Sequence, residues 1–577
     1  MRKESSPGCA ATMAEAPAAR AGPTLREWLL LVAFAAAVLG YWLQQGRLHA
    51  LPEPAGERIE CLSYAPFRLP GETPFDPSLR IARQRIEADL RLLATRTGCV
   101  RTYSIDQGLD QVPAVARELG MEVLLGVWIG RERERNRREL ARAIELVRAE
   151  PSAIRALVVG NEVLLRRELP EAELRALITQ ARSALAIPVT YADVWEFWLE
   201  HPRLAGAVDF VTIHILPYWE DEPVGIDQAV THVTATYRLA QDALPGRPIL
   251  IGETGWPRAG RARGEAVPGR VEQARFVREF TRAAQREQLP YNLIEAFDQP
   301  WKRHLEGAMG GYWGLYTRDG AAAFPWHGPV REDPRWRDGL LGMALGALGF
   351  GAAAALAGRH APGAGRRVRA ALAGALAGAL AGAAVGGVLV AQWRHALAWQ
   401  AGAFGWTVAA LGALLAVAYG WLALGPAAGI RAGATAPGIH ALVSGWTRQR
   451  RIDAAGALSL LRFAFLFCAA ATVLLLVFDA RYRSFPWPAF AVPLGAALLL
   501  AARGVRLPTD AREERALGVV IVLGALPVLW METLANREAL AFLLGLALYA
   551  GACLMPAGTR SSTSMPASTP STAGSKE

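Results

Sequence analysis

Clusters of metal-binding and disulfide-forming residues are missing from this sequence. Its 577 residues include five cysteines, too few for a disulfide scaffold, and nine histidines that are scattered without ligand spacing. No segment predicted to be cytoplasmic carries a Gly-rich phosphate loop or an Asp-x-Asp metal motif, which argues against a nucleotide-sugar site. The formal net charge is +10, but no basic motif is interleaved with aromatic residues as in nucleic-acid-binding modules. We therefore expect no cofactor, no metal site and no nucleic-acid partner.

Four of the five cysteines fall in two settings. Cys61 and Cys99 begin two successive predicted strands, whereas Cys468 and Cys553 lie in apolar runs, where we expect inert thiols. A disulfide between Cys61 and Cys99 would require an extracytoplasmic domain. Adjacent strands rarely offer the Cβ geometry of a disulfide, so two separate buried thiols are favoured, and the sequence leaves the pairing open.

Long apolar runs appear at the N-terminus and again in the second half of the chain. Residues 1–27 are predicted to form a disordered cytoplasmic segment, and residues 28–44 form an apolar run of membrane-spanning length. Basic residues before this run place the N-terminus in the cytoplasm. A cleaved signal peptide is the alternative, but Trp and Tyr at both ends and the lack of a clear cleavage site favour an uncleaved anchor.

Beyond residue 338, Ala, Leu, Gly and Val dominate, and residues 338–556 are predicted to form a seven-span transmembrane bundle. Alternate loops are rich in arginine, which predicts a multi-pass protein of the cytoplasmic (inner) membrane, with residues 557–577 as a disordered tail inside. The segment between the anchor and the bundle then faces the periplasm. The span at 487–502 is short enough to be re-entrant. The arginine-rich loops are 359–369, 425–453 and 503–515. The predicted spans are 338–358, 370–392, 402–424, 456–478, 487–502, 516–532 and 538–556.

Residues 58–320 alternate short apolar runs with polar segments of helix length. Eight such runs over roughly 260 residues have the number and size expected for a (β/α)8 TIM barrel. We therefore predict an α/β barrel joined to an all-α polytopic transmembrane bundle. The predicted strands are Ile59–Tyr64, Cys99–Ser104, Val123–Ile129, Ala156–Gly160, Pro188–Tyr191, Val208–Ile215, Ile249–Gly252 and Tyr291–Phe297.

Two glutamates follow glycines at the ends of predicted strands. Glu162 follows Asn161 after the fourth strand, and Glu253 precedes the turn 254–257 after the seventh. Catalytic groups of barrel enzymes lie at the carboxyl ends of the strands. Most glycoside hydrolases use two carboxylates that face each other across the scissile bond. We expect Glu162 to act as acid/base and Glu253 as nucleophile. The alternatives are a surface salt bridge between Glu162 and Arg166, and helix capping by Glu253.

Aromatic and charged residues follow the eighth strand. Trp301, Trp313 and Tyr316 offer flat apolar faces of the kind on which sugar rings stack. Aromatic residues also fill cores, but their clustering with polar residues beyond a strand end favours a binding role.

These motifs together resemble glycoside hydrolase family 17, whose members are retaining (β/α)8 enzymes active on β-1,3-glucans. The resemblance covers residues 59–317 and implies catalytic roles for Glu162 and Glu253 without a cofactor. The matching motifs are Arg101-Thr102-Tyr103, Gly160-Asn161-Glu162, Pro217-Tyr218, Gly252 through Pro257, and Phe297-Asp298 through Lys302 with Glu306. The implied substrate-binding residues are Asn161, Tyr103, Arg101, His214, Tyr218, Trp256, Asp298, Gln299, Trp301, Lys302, Glu306 and Trp313.

The sequence departs from the plant members of this family at two positions. Gln299 stands where they have Glu, and His214 stands where Asn is usual, which would change subsite electrostatics and substrate linkage. The plant enzymes are also secreted and soluble. The membrane-embedded arrangement resembles that of bacterial proteins labelled β-(1,6)-glucan synthases, which are implicated in making β-1,3/β-1,6-glucans.

We expect a membrane-anchored retaining enzyme that remodels or branches β-1,3/β-1,6-glucan by hydrolysis or transfer. Anchoring favours transfer, since an anchored enzyme meets nascent glucan at high local concentration. The expected partners are β-glucan polysaccharide or oligosaccharide, membrane lipids and a separate glucan polymerase. The alternative is a glucan export or assembly component whose barrel only binds glucan. The sequence leaves the linkage, the acceptor, the role of the bundle and the oligomeric state open.

Overall fold

A computed structural model of the protein describes residues 22–359, 364–400, 402–425, 430, 433–446, 452–479, 481–508 and 511–555. The predicted disordered tail lies outside these residues, as do most of the predicted disordered N-terminus and much of the arginine-rich loop at 425–453. The first helix begins at Leu25 rather than at residue 28, because Thr24 and Glu27 form a capping box that starts the helix earlier.

The predicted barrel is confirmed, with eight parallel strands paired in chain order and closed by pairing of the last strand with the first. The strands are β1 Cys61–Ser63, β2 Cys99–Arg101, β3 Glu122–Val127, β4 Ile154–Asn161, β5 Val189–Val194, β6 Val211–His214, β7 Ile249–Thr254 and β8 Tyr291–Leu293. The helices up to the end of the barrel are α1 Leu25–Gln45, α2 Arg83–Leu93, α3 Val112–Glu118, α4 Arg133–Ala149, α5 Glu171–Ala184, α6 Trp195–Glu200, α7 Ile226–Ala243, α8 Arg270–Glu287 and α9 Arg303–Glu306.

The strands are short and almost continuously apolar, as parallel strands covered on both faces must be. In β4, only Arg155 is exposed, and the remaining residues of Ile154–Asn161 are buried. In β7, all six residues are buried. Since all strands run in the same direction, the carboxyl ends of β4 and β7 meet at one end of the barrel, and the two candidate glutamates lie together there.

The structure corrects the expectation of two separate thiols in the barrel. Cys61 of β1 and Cys99 of β2 form a disulfide, with Cα atoms 4.5 Å apart. Both cysteines are buried in a small cluster with Leu124, Ala156 and Val158. Their strands are neighbours, and the close approach of the two Cα atoms at this point provides the geometry that adjacent strands usually lack.

Every predicted membrane span falls on a helix. Among the described residues, six helices are long and apolar enough to cross a membrane by length and composition: α1 and those at Arg337–Gly358, Ala364–Trp399, Ala403–Ala423, Ala454–Phe478 and Arg512–Glu532. The helices Trp487–Ala502 and Arg537–Cys553 are shorter, with 16 and 17 residues. The short amphipathic helix Ile439–Trp446 was not predicted. The helices after the barrel are α10 Arg337–Gly358, α11 Ala364–Trp399, α12 Ala403–Ala423, α13 Ile439–Trp446, α14 Ala454–Phe478, α15 Trp487–Ala502, α16 Arg512–Glu532 and α17 Arg537–Cys553.

Candidate active site

Glu162, the candidate acid/base, directly follows β4, in a turn whose backbone conformation requires a glycine two residues earlier. Gly160 adopts φ 90°, and a Cβ added there would lie 2.8 Å from Val163 Cγ2. Glu162 itself has φ 53°, a left-handed conformation that is uncommon for glutamate and concentrated at functional sites. Its amide N–H donates to the Ala192 carbonyl at 2.7 Å, which ties the turn to β5. The Glu162 side chain lines the cavity at the carboxyl end of the barrel.

Glu253, the candidate nucleophile, lies within β7, rather than at a helix end, and is buried. Gly252 allows β6 to approach, because a Cβ there would lie 2.4 Å from Thr212 Cγ2. The Tyr103 hydroxyl donates to Glu253 Oε1 at 2.8 Å, and Arg101 Nη1 donates to the same oxygen at 3.2 Å. The two donors fix the carboxylate and place a positive charge beside it.

His214 connects the two glutamates. One oxygen of each carboxylate and one ring nitrogen of His214 lie within 4.8 Å of one another. The imidazole Nδ1 is 2.9 Å from Glu162 Oε1, while Nε2 is 3.3 Å from Arg101 Nη1 and 3.7 Å from Glu253 Oε1. Because a guanidinium nitrogen can only donate, Nε2 accepts from Arg101. The proton of the neutral ring is therefore on Nδ1, which donates to Glu162.

These contacts set the protonation states of the site. Burial raises the pKa of Glu162, but the hydrogen bond from His214 and the nearby positive charges outweigh it, so the pKa lies below its usual value. Burial and the charge of Glu253 raise the pKa of Tyr103 well above its usual value, so this hydroxyl stays protonated and donates. Glu162 is thus a carboxylate at neutral pH and must gain a proton before it can act as an acid.

Glu162, His214 and Glu253 also have the spacing of a three-ligand cation site. However, the Arg101 guanidinium lies within hydrogen-bonding distance of both His214 and Glu253. A divalent cation bound to these ligands would face this fixed positive charge at close range. The cluster is therefore better suited to proton transfer and charge stabilisation than to cation binding.

A second group of charges follows β8. Lys302 Nζ donates to Glu295 Oε2 at 2.9 Å, and both side chains line the cavity. Burial raises the pKa of Glu295 to about 7, even though Lys302 opposes the shift. Burial also raises the pKa of Glu306, which faces the same lysine. This side of the cavity therefore holds carboxyl groups whose pKa lies above that of ordinary glutamates.

Both candidate glutamates and six of the predicted binding residues line one cavity of about 1500 Å³. This volume exceeds the roughly 300–1,000 Å³ of typical small-ligand pockets, which suits an oligosaccharide. Arg166 lies in the same wall, where it pairs with Glu168 at 3.2 Å, not with Glu162. The predicted site residues that line the cavity are Tyr103, Asn161, Glu162, Glu253, Trp301, Lys302, Glu306 and Trp313.

Arg101 and His214 lie beneath the cavity floor, fully buried behind the glutamates. Arg101 Nη2 donates to Asn161 Oδ1 at 2.5 Å and so fixes the orientation of the Asn161 side chain. The amide nitrogen of that side chain is the group that can donate to a ligand. Tyr218 and Trp256 are also buried and lie outside the cavity walls. The Tyr218 hydroxyl and the Trp256 indole donate to backbone carbonyls at 2.8 and 3.1 Å, so both rings support loops around the site.

Asp298 and Gln299 also lie outside the cavity walls. The Asp298 carboxylate forms a buried ion pair with Arg258. Gln299 Oε1 accepts from the Trp301 indole at 2.8 Å, which fixes the ring that lines the cavity. These two residues hold the loop after β8 in place and do not contact the cavity.

Several cavity residues were not among the predicted ones. Trp128 and Trp219 follow β3 and β6 and line the cavity, as does Glu295. The available signal was an aromatic residue near the carboxyl end of a predicted strand: Trp128 lies within the last residues of the predicted third strand, and Trp219 follows the predicted sixth strand. Arg481 and Tyr482, in the loop between α14 and α15, also line the cavity. No local sequence pattern could have assigned these two to the barrel.

Part of this chain is similar to known proteins. Residues 61–314 match the family model of the BtgE/BtgC glycoside hydrolase domain. The chain is 30% identical over 224 residues to the probable beta-glucosidase btgE of Aspergillus fumigatus, covering 38% of this chain and 39% of that protein. It is 28% identical over 252 residues to a glucan 1,3-beta-glucosidase of Arthroderma benhamiae, covering 40% of this chain and 81% of that protein.

Among solved structures, an active-site mutant of Rhizomucor miehei beta-1,3-glucanosyltransferase in complex with laminaritriose matches with a TM-score of 0.41 and 24% identity, covering 46% of this chain and 95% of that chain. The family match over residues 61–314 confirms the predicted resemblance of the barrel to glycoside hydrolases. The chain spans about two fifths of the length of the btgE proteins that it matches (39%).

Proposed function

We propose that the protein is a membrane-anchored, retaining β-glucan-active enzyme that remodels or branches β-1,3/β-1,6-glucan. The observation that carries this proposal is the spacing of Glu162 and Glu253, which bring carboxylate oxygens within 4.8 Å of each other. Retaining glycosidases hold the two carboxyl groups about 5–5.5 Å apart, and inverting ones about 6.5–9.5 Å apart. Relatives named beta-glucosidase and glucan 1,3-beta-glucosidase support a β-glucan as the substrate.

In the first step, Glu253 attacks the anomeric carbon while protonated Glu162 gives its proton to the leaving glycosidic oxygen. Arg101 and Tyr103 hold the attacking carboxylate in one position by donating to Glu253 Oε1. The bond to the leaving sugar breaks as the glycosyl–Glu253 ester forms. Asn161 is placed by Arg101 to donate its amide to the sugar bound beside the two glutamates.

In the second step, Glu162 acts as a base. It removes a proton from water or from a sugar hydroxyl, which attacks the anomeric carbon and releases Glu253 as a carboxylate. The lowered pKa of Glu162 favours this ionised form. Water gives hydrolysis and a sugar hydroxyl gives transfer, so both products arise from the same intermediate.

We further propose that the barrel faces the periplasm from the cytoplasmic membrane. The Cys61–Cys99 disulfide supports an oxidising compartment. The six apolar helices of spanning length in the described part of the chain, one before and five after the barrel, support anchoring at both ends of the domain. The alternate arginine-rich loops support the direction.

The test uses the full-length protein in nanodiscs with reduced laminari-oligosaccharides, followed by mass spectrometry and NMR. Products longer than the substrate indicate transfer, and their anomeric signals report a β-1,3 or a β-1,6 bond. Only shorter products indicate a hydrolase. Release of an α-configured first product would exclude double displacement.

A matched pair of isosteric substitutions assigns the activity to the site. Glu253→Gln should abolish turnover, whereas Glu145→Gln, on the exposed face of α4, should leave it unchanged. Binding without turnover by the unaltered protein would favour the alternative in which the barrel only holds glucan during export or assembly.

A further inference from the structure

The carboxyl end of the barrel, where the candidate active site opens, packs against the bundle. Arg303, which follows β8, donates to the carbonyls of Leu397 and Ala398 at 3.2 Å. The Tyr312 hydroxyl donates to the Leu397 carbonyl at 3.4 Å. Both carbonyls belong to the end of α11. The cavity therefore opens beside the bundle instead of pointing away from it.

A buried ion pair fixes the loop after β7 to the bundle. Arg261 is 4% exposed and pairs with Glu532 at the end of α16. Its guanidinium also lies 5.0 Å from the centre of the Phe485 ring, just before α15. Asn536 donates its amide to the Ala262 carbonyl at 3.0 Å. These contacts hold the α14–α15 loop at the side of the barrel that carries Glu253.

Tyr482 of this loop lies between two cavity-lining loops of the barrel. Its ring makes an edge contact with Trp219 after β6, at 6.3 Å between centroids. On the other side, a Cβ added to Gly307 after β8 would lie 2.7 Å from the Tyr482 carbonyl oxygen. Gly307 also has φ 75°, so both the close approach of Tyr482 and the left-handed backbone favour glycine at this position. Tyr482 therefore closes the cavity across the gap between the β6 and β8 loops.

The polar groups of the same loop are available to a ligand. Arg481 stacks over the Tyr482 ring at 5.5 Å, and both side chains line the cavity. Within the described part of the chain, Arg481 forms no ion pair and the Tyr482 hydroxyl forms no hydrogen bond. Aromatic rings beside unpaired donors are the groups that bind the apolar faces and hydroxyls of sugars.

We propose that Arg481 and Tyr482 form a sugar-binding subsite that the membrane bundle contributes to the barrel's cavity. This inference rests on the proposed function, because it takes the ligand to be a β-glucan chain. The loop contacts the segments after β6 and β8, whereas Trp128 follows β3, on the opposite side of the closed barrel. Only a chain long enough to extend from Glu253 to this loop uses the subsite, so the bundle sets the preferred substrate length.

The test measures binding to the full-length protein in nanodiscs, in a Glu253→Gln background, by titration calorimetry with laminaribiose and laminarihexaose. Tyr482→Ala should weaken laminarihexaose binding about tenfold, while laminaribiose binding changes little. Tyr482→Phe should retain most of the affinity. Arg483→Ala is the matched control, since Arg483 is in the same loop, pairs with Asp479 and does not line the cavity.

The outcomes separate this inference from the proposed function. Length-dependent loss of binding in Tyr482→Ala supports the subsite, whether or not the unaltered protein turns the sugar over. Equal loss of affinity for both sugars, or no loss, overturns the subsite. Binding without turnover counts against the proposed enzyme alone. Absence of both binding and turnover in the parent protein overturns both proposals.

Discussion

Substitution of His214 should move the pH dependence of the reaction. His214 Nδ1 donates to Glu162 Oε1 at 2.9 Å and helps to hold the pKa of Glu162 below its usual value. His214→Ala removes this donor, while the burial that raises the pKa of Glu162 remains. Protonated Glu162 is then more stable, and the alkaline limb of the kcat/KM profile, which reports this acid, shifts to higher pH.

The size of the effect follows from the hydrogen bond. A hydrogen bond to a charged group contributes about 1.5–3 kcal/mol, and 1.4 kcal/mol is a factor of ten in an equilibrium constant. At a pH above the alkaline limb, the protonated fraction of Glu162 should therefore rise about tenfold or more. A simultaneous loss in kcat from the cavity left by the ring does not change the position of the limb.

The assay compares two substrates across pH. Laminari-oligosaccharides have a leaving group that needs protonation, whereas an aryl β-glucoside with an acidic phenol does not. The shift should appear with the first substrate only. His214→Asn is the matched control, because its side-chain amide can keep a donor near the position of Nδ1. A folded His214→Ala protein whose alkaline limb stays in place or moves to lower pH would refute the assigned hydrogen bond.

Three further changes have defined outcomes. Lys302→Met leaves Glu295 buried without its cation, so thermal unfolding should show a loss of about 3 kcal/mol at pH 8. The loss should shrink at pH 5, because a carboxyl with a raised pKa, about 7 in the intact pair, is then neutral. Cys61→Ala or Cys99→Ala opens a 38-residue loop and should lower stability by about 4 kcal/mol, with no further loss in the double variant. Gly160→Ala should lower both kcat and the free energy of unfolding, because alanine is strained at φ 90° and this backbone positions the acid/base turn. Unchanged kcat in a folded protein would contradict that role.

The barrel and its two glutamates could be predicted because their signals are local. Each strand is a short run of apolar residues, and the pattern alternates with helix-length polar segments. Glu162 and Glu253 each follow a glycine within two residues, and in both cases a side chain packs where a Cβ would lie. Parallel strands bring their carboxyl ends together, so two local patterns predict one shared site.

Other features depend on partners that are distant in sequence. Asp298 pairs with Arg258, forty residues earlier in the chain, and this pairing turns it away from the cavity. The Cys61–Cys99 disulfide depends on a Cα separation of 4.5 Å that strand adjacency alone does not predict. Tyr482 reaches the cavity from a segment with an apolar helix on each side. Periodicity and motif spacing carry no information on any of these contacts.

The bundle-side subsite bears on the choice between transfer and hydrolysis. An acceptor held in attacking position can reach an effective molarity of about 10⁵ M or more, so acceptor binding decides which nucleophile opens the intermediate. If Tyr482 binds the acceptor, Tyr482→Ala shifts products from transfer to hydrolysis while the first step keeps its rate. If Tyr482 binds the donor chain, the first step slows and the product ratio is unchanged. The ratio of longer to shorter products, measured beside the rate of leaving-group release, therefore assigns the bundle to one side of the cleaved bond.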